Sequence, residues 1–87
     1  MTIKIQLFGY YQMMLGRMYL EITLTEPSSL EDLWQHMVSS HRQLKSPDMK
    51  AIAGMAVNGR YIKREDWSRF QLTDMDKIDL ASQMAGG

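Results

Sequence analysis

Ser28-Ser29-Leu30-Glu31-Asp32-Leu33-Trp34-Gln35-His36-Met37-Val38-Ser39-Ser40-His41-Arg42-Gln43-Leu44 is the stretch whose reading decides the fold. Leu30, Leu33, Trp34, Met37, Val38, His41 and Leu44 recur at spacings of three and four, which lines one face of a helix with apolar groups broken only by His41. Ser28 and Glu31 have the spacing of a capping box, in which the hydroxyl accepts from the Glu31 amide and the carboxylate reaches back to the Ser28 amide. Asp32 near the start and Arg42 near the end suit the helix dipole. Pro27, just upstream, keeps the preceding strand from continuing in a sheet interior.

Outward from this helix the period changes from 3.6 to two. Towards the N-terminus, residues 19 to 25 read as a strand with Leu20, Ile22 and Leu24 inward, and residues 2 to 8 as another with Ile3, Ile5 and Leu7 on one face. Lys4, Gln6 and Phe8 fall on the other face. Between them, Tyr10 to Leu15 fits a short helical turn closed by Gly16 in the left-handed conformation. Towards the C-terminus, 45 to 54 reads as a connecting loop around Pro47, Asp48 and Gly54. Met55 to Asn58 is a short strand, Asn58-Gly59 a tight turn, and Arg60 to Ile62 a brief return. Residues 63 to 73 have no clear period, although Trp67, Phe70 and Leu72 can pin them to a core. Thr73 to Asp76 is a turn, and Lys77 to Ala81 alternates as the last strand.

This order predicts an α+β domain over residues 1–81: a mixed sheet of four to five strands with one main helix packed across one face, the ubiquitin-like β-grasp arrangement. Residues 82–87 hold little to bury beyond Met84 and are expected to leave the body as a flexible tail ending in Gly86-Gly87. The 87 residues leave little room for a second domain.

Composition narrows the function. There is no cysteine, so disulfides, thiolate metal sites and cysteine nucleophiles are excluded together. Ten acidic and ten basic residues balance to zero net charge, and the basic residues approach a patch only from Arg60 to Arg69, where Glu65 and Asp66 interrupt it. Nucleic-acid binding is not expected from such a chain. No apolar run is long enough to span a bilayer, and the N-terminal alternation lacks the basic-then-apolar order of a secretion signal, so no membrane association and a cytoplasmic protein are expected.

No metal site is expected either. His36 and His41 stand five apart, which takes them off one helical face, and Asp74, Asp76 and Asp79 lack the glycine and distal glutamate of a calcium loop. No serine sits in a nucleophile-elbow sequence and no phosphate-binding glycine loop occurs. The nine methionines are expected to fill irregular gaps in a small core.

Ile3-Lys4-Ile5-Gln6-Leu7-Phe8-Gly9, Leu15-Gly16, Ala56-Val57-Asn58, Leu72-Thr73-Asp74-Met75-Asp76-Lys77-Ile78 and Gly86-Gly87 occur in an order and spacing that resembles the MoaD and ThiS sulfur carriers of molybdopterin and thiamine-thiazole synthesis, and MoaD more than ThiS. Three positions depart from that pattern: Met75 stands where glycine is usual, Ser82-Gln83 replaces a Pro-Pro, and Gln12 replaces a frequent arginine.

The resemblance implies that Gly87 carries the chemistry. Its carboxylate would be adenylated by a MoeB- or ThiF-like partner, which supplies the ATP site, and then converted to a thiocarboxylate by a persulfide donor. The acceptor would be a molybdopterin synthase large subunit-like protein; a thiamine-type carrier and a protein modifier joined to lysines through Gly87 remain open. This chain would bind no cofactor of its own and would not be a catalyst alone. Gly86 and Gly87, free of side chains, can thread a narrow channel to a buried centre, with Met84 and Ala85 following. Two terminal glycines arise by chance in roughly one chain in 200 at the average glycine usage, so the termini alone do not decide the matter. The resemblance further implies a docking patch for the partner around Phe8, with Ala81 beside it.

Overall fold

Every second residue of strand β1 (Thr2–Leu7) turns inward: Ile3, Ile5 and Leu7 are buried while Lys4 and Gln6 are exposed. The computed structural model describes residues 1–82. After β1 come helix α1 (Gly9–Leu15), strand β2 (Tyr19–Thr23), helix α2 (Leu30–Ser40), helix α3 (Pro47–Ala51) and strands β3 (Ala53–Val57), β4 (Arg60–Ile62) and β5 (Lys77–Ser82). The five strands form one sheet in the order β2-β1-β5-β3-β4. β1 and β5 pair in parallel at its centre, and the other three pairings are antiparallel. This is the expected mixed β-grasp sheet with α2 across one face.

Local signals account for most boundaries. Gly16 closes α1 with φ 67°, its amide donating to the Gln12 carbonyl at 2.9 Å. Asn58 and Gly59 carry positive φ in the β3–β4 turn. β5 ends at Ser82, opposite Ala53, one residue beyond the boundary at 81 read from the sequence.

The cap of α2 is a correction. Ser29, not Ser28, is the capping residue, with Asp32 rather than Glu31 as its reciprocal partner; Asp32 N donates to Ser29 Oγ at 3.1 Å and Ser29 N to Asp32 Oδ2 at 2.9 Å. Both pairs have the right spacing, so tertiary contacts break the tie. The Ser28 hydroxyl donates to the Thr25 carbonyl and the Ser28 carbonyl accepts from Leu72 N, which holds that residue outside the helix. Glu31, released from capping, pairs with Lys50 of α3 at 2.8 Å. The helix also stops at Ser40 with His41 as its C-cap, and Leu44 reaches the core from a separate turn, Arg42–Leu44.

Residues 45 to 54 are not simply a loop. Ser46 caps α3 through the Asp48 amide and Pro47 takes the first helical position, where its missing N–H costs nothing. Five residues make a helix too short to stand alone. It is held by tertiary bonds: the Tyr11 hydroxyl donates to the Met49 carbonyl at 2.6 Å, and Lys50 meets Glu31. Burial pushes the Tyr11 phenol up to about 12, against a lowering by the Arg64 charge, so it stays a donor across the physiological range.

The aperiodic segment from 63 to 73 does pin itself to the core. Trp67 is fully buried, packs 6.0 Å from Trp34 and donates its indole N–H to the Ile62 carbonyl. The backbone of this segment also serves α2. The Phe70 and Trp67 carbonyls accept from the Leu30 and Glu31 amides, two of the donors that the first turn of the helix leaves unpaired.

The methionines divide. Met37 and Met55 are core residues, whereas Met13, Met18 and Met75 are more than half exposed, so the expectation that all of them fill gaps does not hold.

Candidate functional site: the open sheet face and the end of strand β5

The face of the sheet away from α2 is built by the residues that alternation leaves over. Register places Tyr19, Gln6, Asp79, Ala56 and Tyr61 in one row across all five strands. In the next row Ala81 lies opposite Gly54. The Phe8 amide donates to the Leu80 carbonyl at 2.9 Å, continuing the parallel β1–β5 ladder one step past Leu7 and Leu80 and bringing Phe8 beside Ala81. The two described residues expected to dock a partner are therefore neighbours.

Phe8 is held in place by its backbone. Besides the bond to Leu80, its carbonyl accepts from Tyr11 N as α1 begins, while the ring remains 40% exposed. Gly54, Ala56 and Ala81 form a low centre between Phe8 and Tyr19 on one side and Tyr61 on the other. Tyr19 and Met18 are 71% and 64% exposed, more apolar surface than an isolated aromatic needs. A depression of about 350 Å³ on this face is lined by Lys4, Gln6, Met18, Tyr19, Lys77 and Asp79.

The start of β3, opposite the end of β5, is fixed by a residue to which sequence reasoning gave no role. Arg64 Nη2 donates to the Ala51 and Ala53 carbonyls at 2.8 Å each, and its guanidinium lies 5.6 Å from the centroid of Trp67. Ala53 is the partner of Ser82, so Arg64 braces the stretch of β3 that pairs with the last described residue of β5. Nothing in the sequence separates it from its basic neighbours. Met84, Ala85, Gly86 and Gly87, the other candidate residues, lie outside the described residues.

The acidic residues near β5 have structural duties. Asp76 is 7% exposed; its Oδ1 accepts from Asn58 Nδ2 and Thr73 Oγ1, and its Oδ2 from Thr73 N. Burial disfavours its charge, but the bonds from Thr73 and Asn58 outweigh that and hold the carboxyl below the usual range. Asp74 accepts from Thr2 N at 2.7 Å. Met75 adopts φ 69°, the left-handed conformation natural to glycine. Among the described residues no three His, Cys, Asp or Glu side chains gather as metal ligands, and no helix is long and apolar enough to cross a membrane.

Similarity to known proteins follows the same outline. A putative molybdopterin converting factor subunit 1 from Pyrococcus furiosus superposes with a TM-score of 0.78 at 24% identity, covering 95% of this chain and 98% of that one. The crystal structure of small archaeal modifier protein 1 from Haloferax volcanii gives 0.80 at 15% identity, with both chains fully covered. Subunit 1 in the complex of subunits 1 and 2 of the molybdopterin-converting factor from Helicobacter pylori gives 0.67 at 20% identity, again over both whole chains. At these identities the likeness shows the fold. No curated protein matches the chain in sequence. The ThiS family model matches residues 5–87, nearly the whole chain, and the protein belongs to the ThiS family.

Proposed function

We propose that this protein is a sulfur carrier whose Gly87 carboxylate is activated as an acyl-adenylate and converted to a thiocarboxylate, and that it delivers sulfur in molybdopterin synthesis. The observation that carries this reading is the family match, which runs through Gly86-Gly87. A free carboxylate is a poor acylating group because oxide would have to leave. Attack of its oxygen on the α-phosphorus of ATP releases pyrophosphate and leaves AMP as a good leaving group. The terminal sulfur of a persulfide then displaces AMP, and a thiol cleaves the resulting S–S bond to free the thiocarboxylate.

The body of the protein contributes position rather than catalysis. The last described residues of β5 lie beside Phe8, so a partner docked on the open face would meet the end of that strand. Adenylation falls to a MoeB- or ThiF-like enzyme that binds the ATP. The acceptor is a large subunit like that of molybdopterin synthase, a reading supported by the Helicobacter pylori structure of subunit 1 with subunit 2. A second reading draws on the similarity to the Haloferax volcanii modifier protein: a lysine amine captures the same acyl group as an isopeptide.

Intact mass of the protein from its own cells, followed by fragmentation of its C-terminal peptide, tests both. Oxygen exchanged for sulfur on a terminal Gly87 is the expected result. Conjugates of higher mass joined through Gly87 favour the modifier. A plain carboxylate that persists after incubation with ATP, a persulfide donor and the adenylating enzyme overturns the carrier reading.

A further inference from the structure

β2 is an outermost strand of the sheet and pairs only with β1 among the described residues. Its even-numbered residues make that ladder. Leu7 N donates to the Met18 carbonyl at 2.8 Å and Leu24 N to the Met1 carbonyl at 2.9 Å, in the register that sets Ile5 opposite Leu20 and Ile3 opposite Ile22. Main-chain groups alternate sides along a strand, so those of Tyr19, Glu21 and Thr23 point away from β1, to the open edge. A groove of about 370 Å³ borders this edge, lined by Arg17, Tyr19, Glu21 and Thr23 and by His36 and His41 at the end of α2. Arg17 and Glu21 are exposed, and neither is in an ion pair among the described residues. Tyr19 stands between them, 71% exposed.

We propose that the edge of β2 pairs with the same edge of a second copy of this chain, antiparallel about a two-fold axis at Tyr19. Tyr19 and Glu21 share the open face of the sheet, and Arg17 precedes Tyr19 by the same two-residue step. An isologous pairing at that axis sets Tyr19 against Tyr19 of the second copy, and Arg17 against the second copy's Glu21 on both sides. The edge is therefore complementary to itself in charge. Moving the axis to Leu20 sets Tyr19 against Glu21 and leaves both charges without a partner. Moving it to Glu21 puts two carboxylates directly opposite each other, which is destabilising. A foreign strand would have to bring opposite charges at this spacing, whereas a second copy already carries them. The proposal does not depend on the chemistry of Gly87.

Sedimentation of the full-length chain tests it. The wild type should pass from monomer towards dimer between micromolar and millimolar concentration, with the Tyr19 and Glu21 amides of the isotope-labelled chain shifting over the same range. Arg17→Glu or Glu21→Arg alone sets like charges opposite and should weaken self-association about tenfold. Mixed in equal amounts, the two variants regain both charge pairs and should form a heterodimer as tight as the wild-type dimer. Melting temperatures equal to that of the wild type at monomeric concentration show that the fold is not the cause. A wild type that stays monomeric at millimolar concentration overturns the proposal. So do single variants that associate like the wild type, or a mixture that associates no better than either alone. If an end-blocked peptide alternating valine and threonine shifts the Tyr19 and Glu21 amides of a chain that remains monomeric, the edge takes a foreign strand instead and the proposal fails.

Discussion

The two faces of the sheet are made by the same strands and have opposite fates. Towards α2, Ile3, Ile5, Ile78 and Leu80 are completely buried. On the other side, one residue along in each strand, Lys4 and Lys77 are exposed, and Phe8 and Tyr19 present aromatic rings to solvent. Period-two geometry forces this division, since a strand that commits one set of residues to a core must offer the alternate set to something else. The covered face holds the fold together. The open face is free to be chosen for recognition, and its cost to stability when altered should be small.

Breaking the covered face should have the largest effect. Leu80→Ala removes a fully buried side chain at the sheet centre; about 2–5 kcal/mol is expected, a large part of the stability of a domain this small, and urea unfolding measures it. Asp76→Ala comes next. It strands the Asn58 and Thr73 donors at a loss of about 1–3 kcal/mol, although Asp76 belongs to neither the apolar core nor the open face. Because its folded pKa lies below the ordinary 3.8, its contribution is present above that value and is lost as pH falls through the folded pKa. Thermal melting followed into acid should therefore fall more steeply in the wild type than in Asp76→Ala.

Phe8→Ala sharpens the comparison from the other side. It should raise the KM for adenylation by the partner enzyme about tenfold, equivalent to about 1.4 kcal/mol, while the melting temperature stays nearly constant. Loss of stability as large as that of Leu80→Ala would erase the distinction between the faces. The smallest effect belongs to Met75→Gly. Relief of the left-handed strain at φ 69° is partly offset by glycine's greater freedom when unfolded, for a net gain of about 0.5–1 kcal/mol. A higher urea midpoint with unchanged adenylation is the expected outcome.

The legible parts of the fold were those whose cause is local. Alternation in Thr2–Leu7 and Lys77–Ser82, the Gly16 cap and the Asn58-Gly59 turn each announce themselves within a few residues. The same alternation put Phe8 on the open face. The misread parts needed distant partners: α3 exists because Tyr11 and Glu31 hold it, and Ser29 rather than Ser28 caps α2 because Leu72 and Thr25 occupy Ser28. Ser46-Pro47-Asp48 did carry a helix-start signal, but a signal for five residues has little weight without the contacts that stabilise them.

The sequence by itself determined which residues face inward, where the chain turns, and that it carries Gly86-Gly87, because periodicity, glycine conformation and residue identity are properties of neighbours along the chain. Only the tertiary structure decided that Phe8 lies beside Ala81, that Arg64 braces the start of β3, and that Arg60, Lys63 and Arg69 share one cleft. Those juxtapositions depend on sheet register and on which carbonyls the irregular segment presents. Both are settled by bonds between residues far apart in the chain, and the local pattern does not specify them.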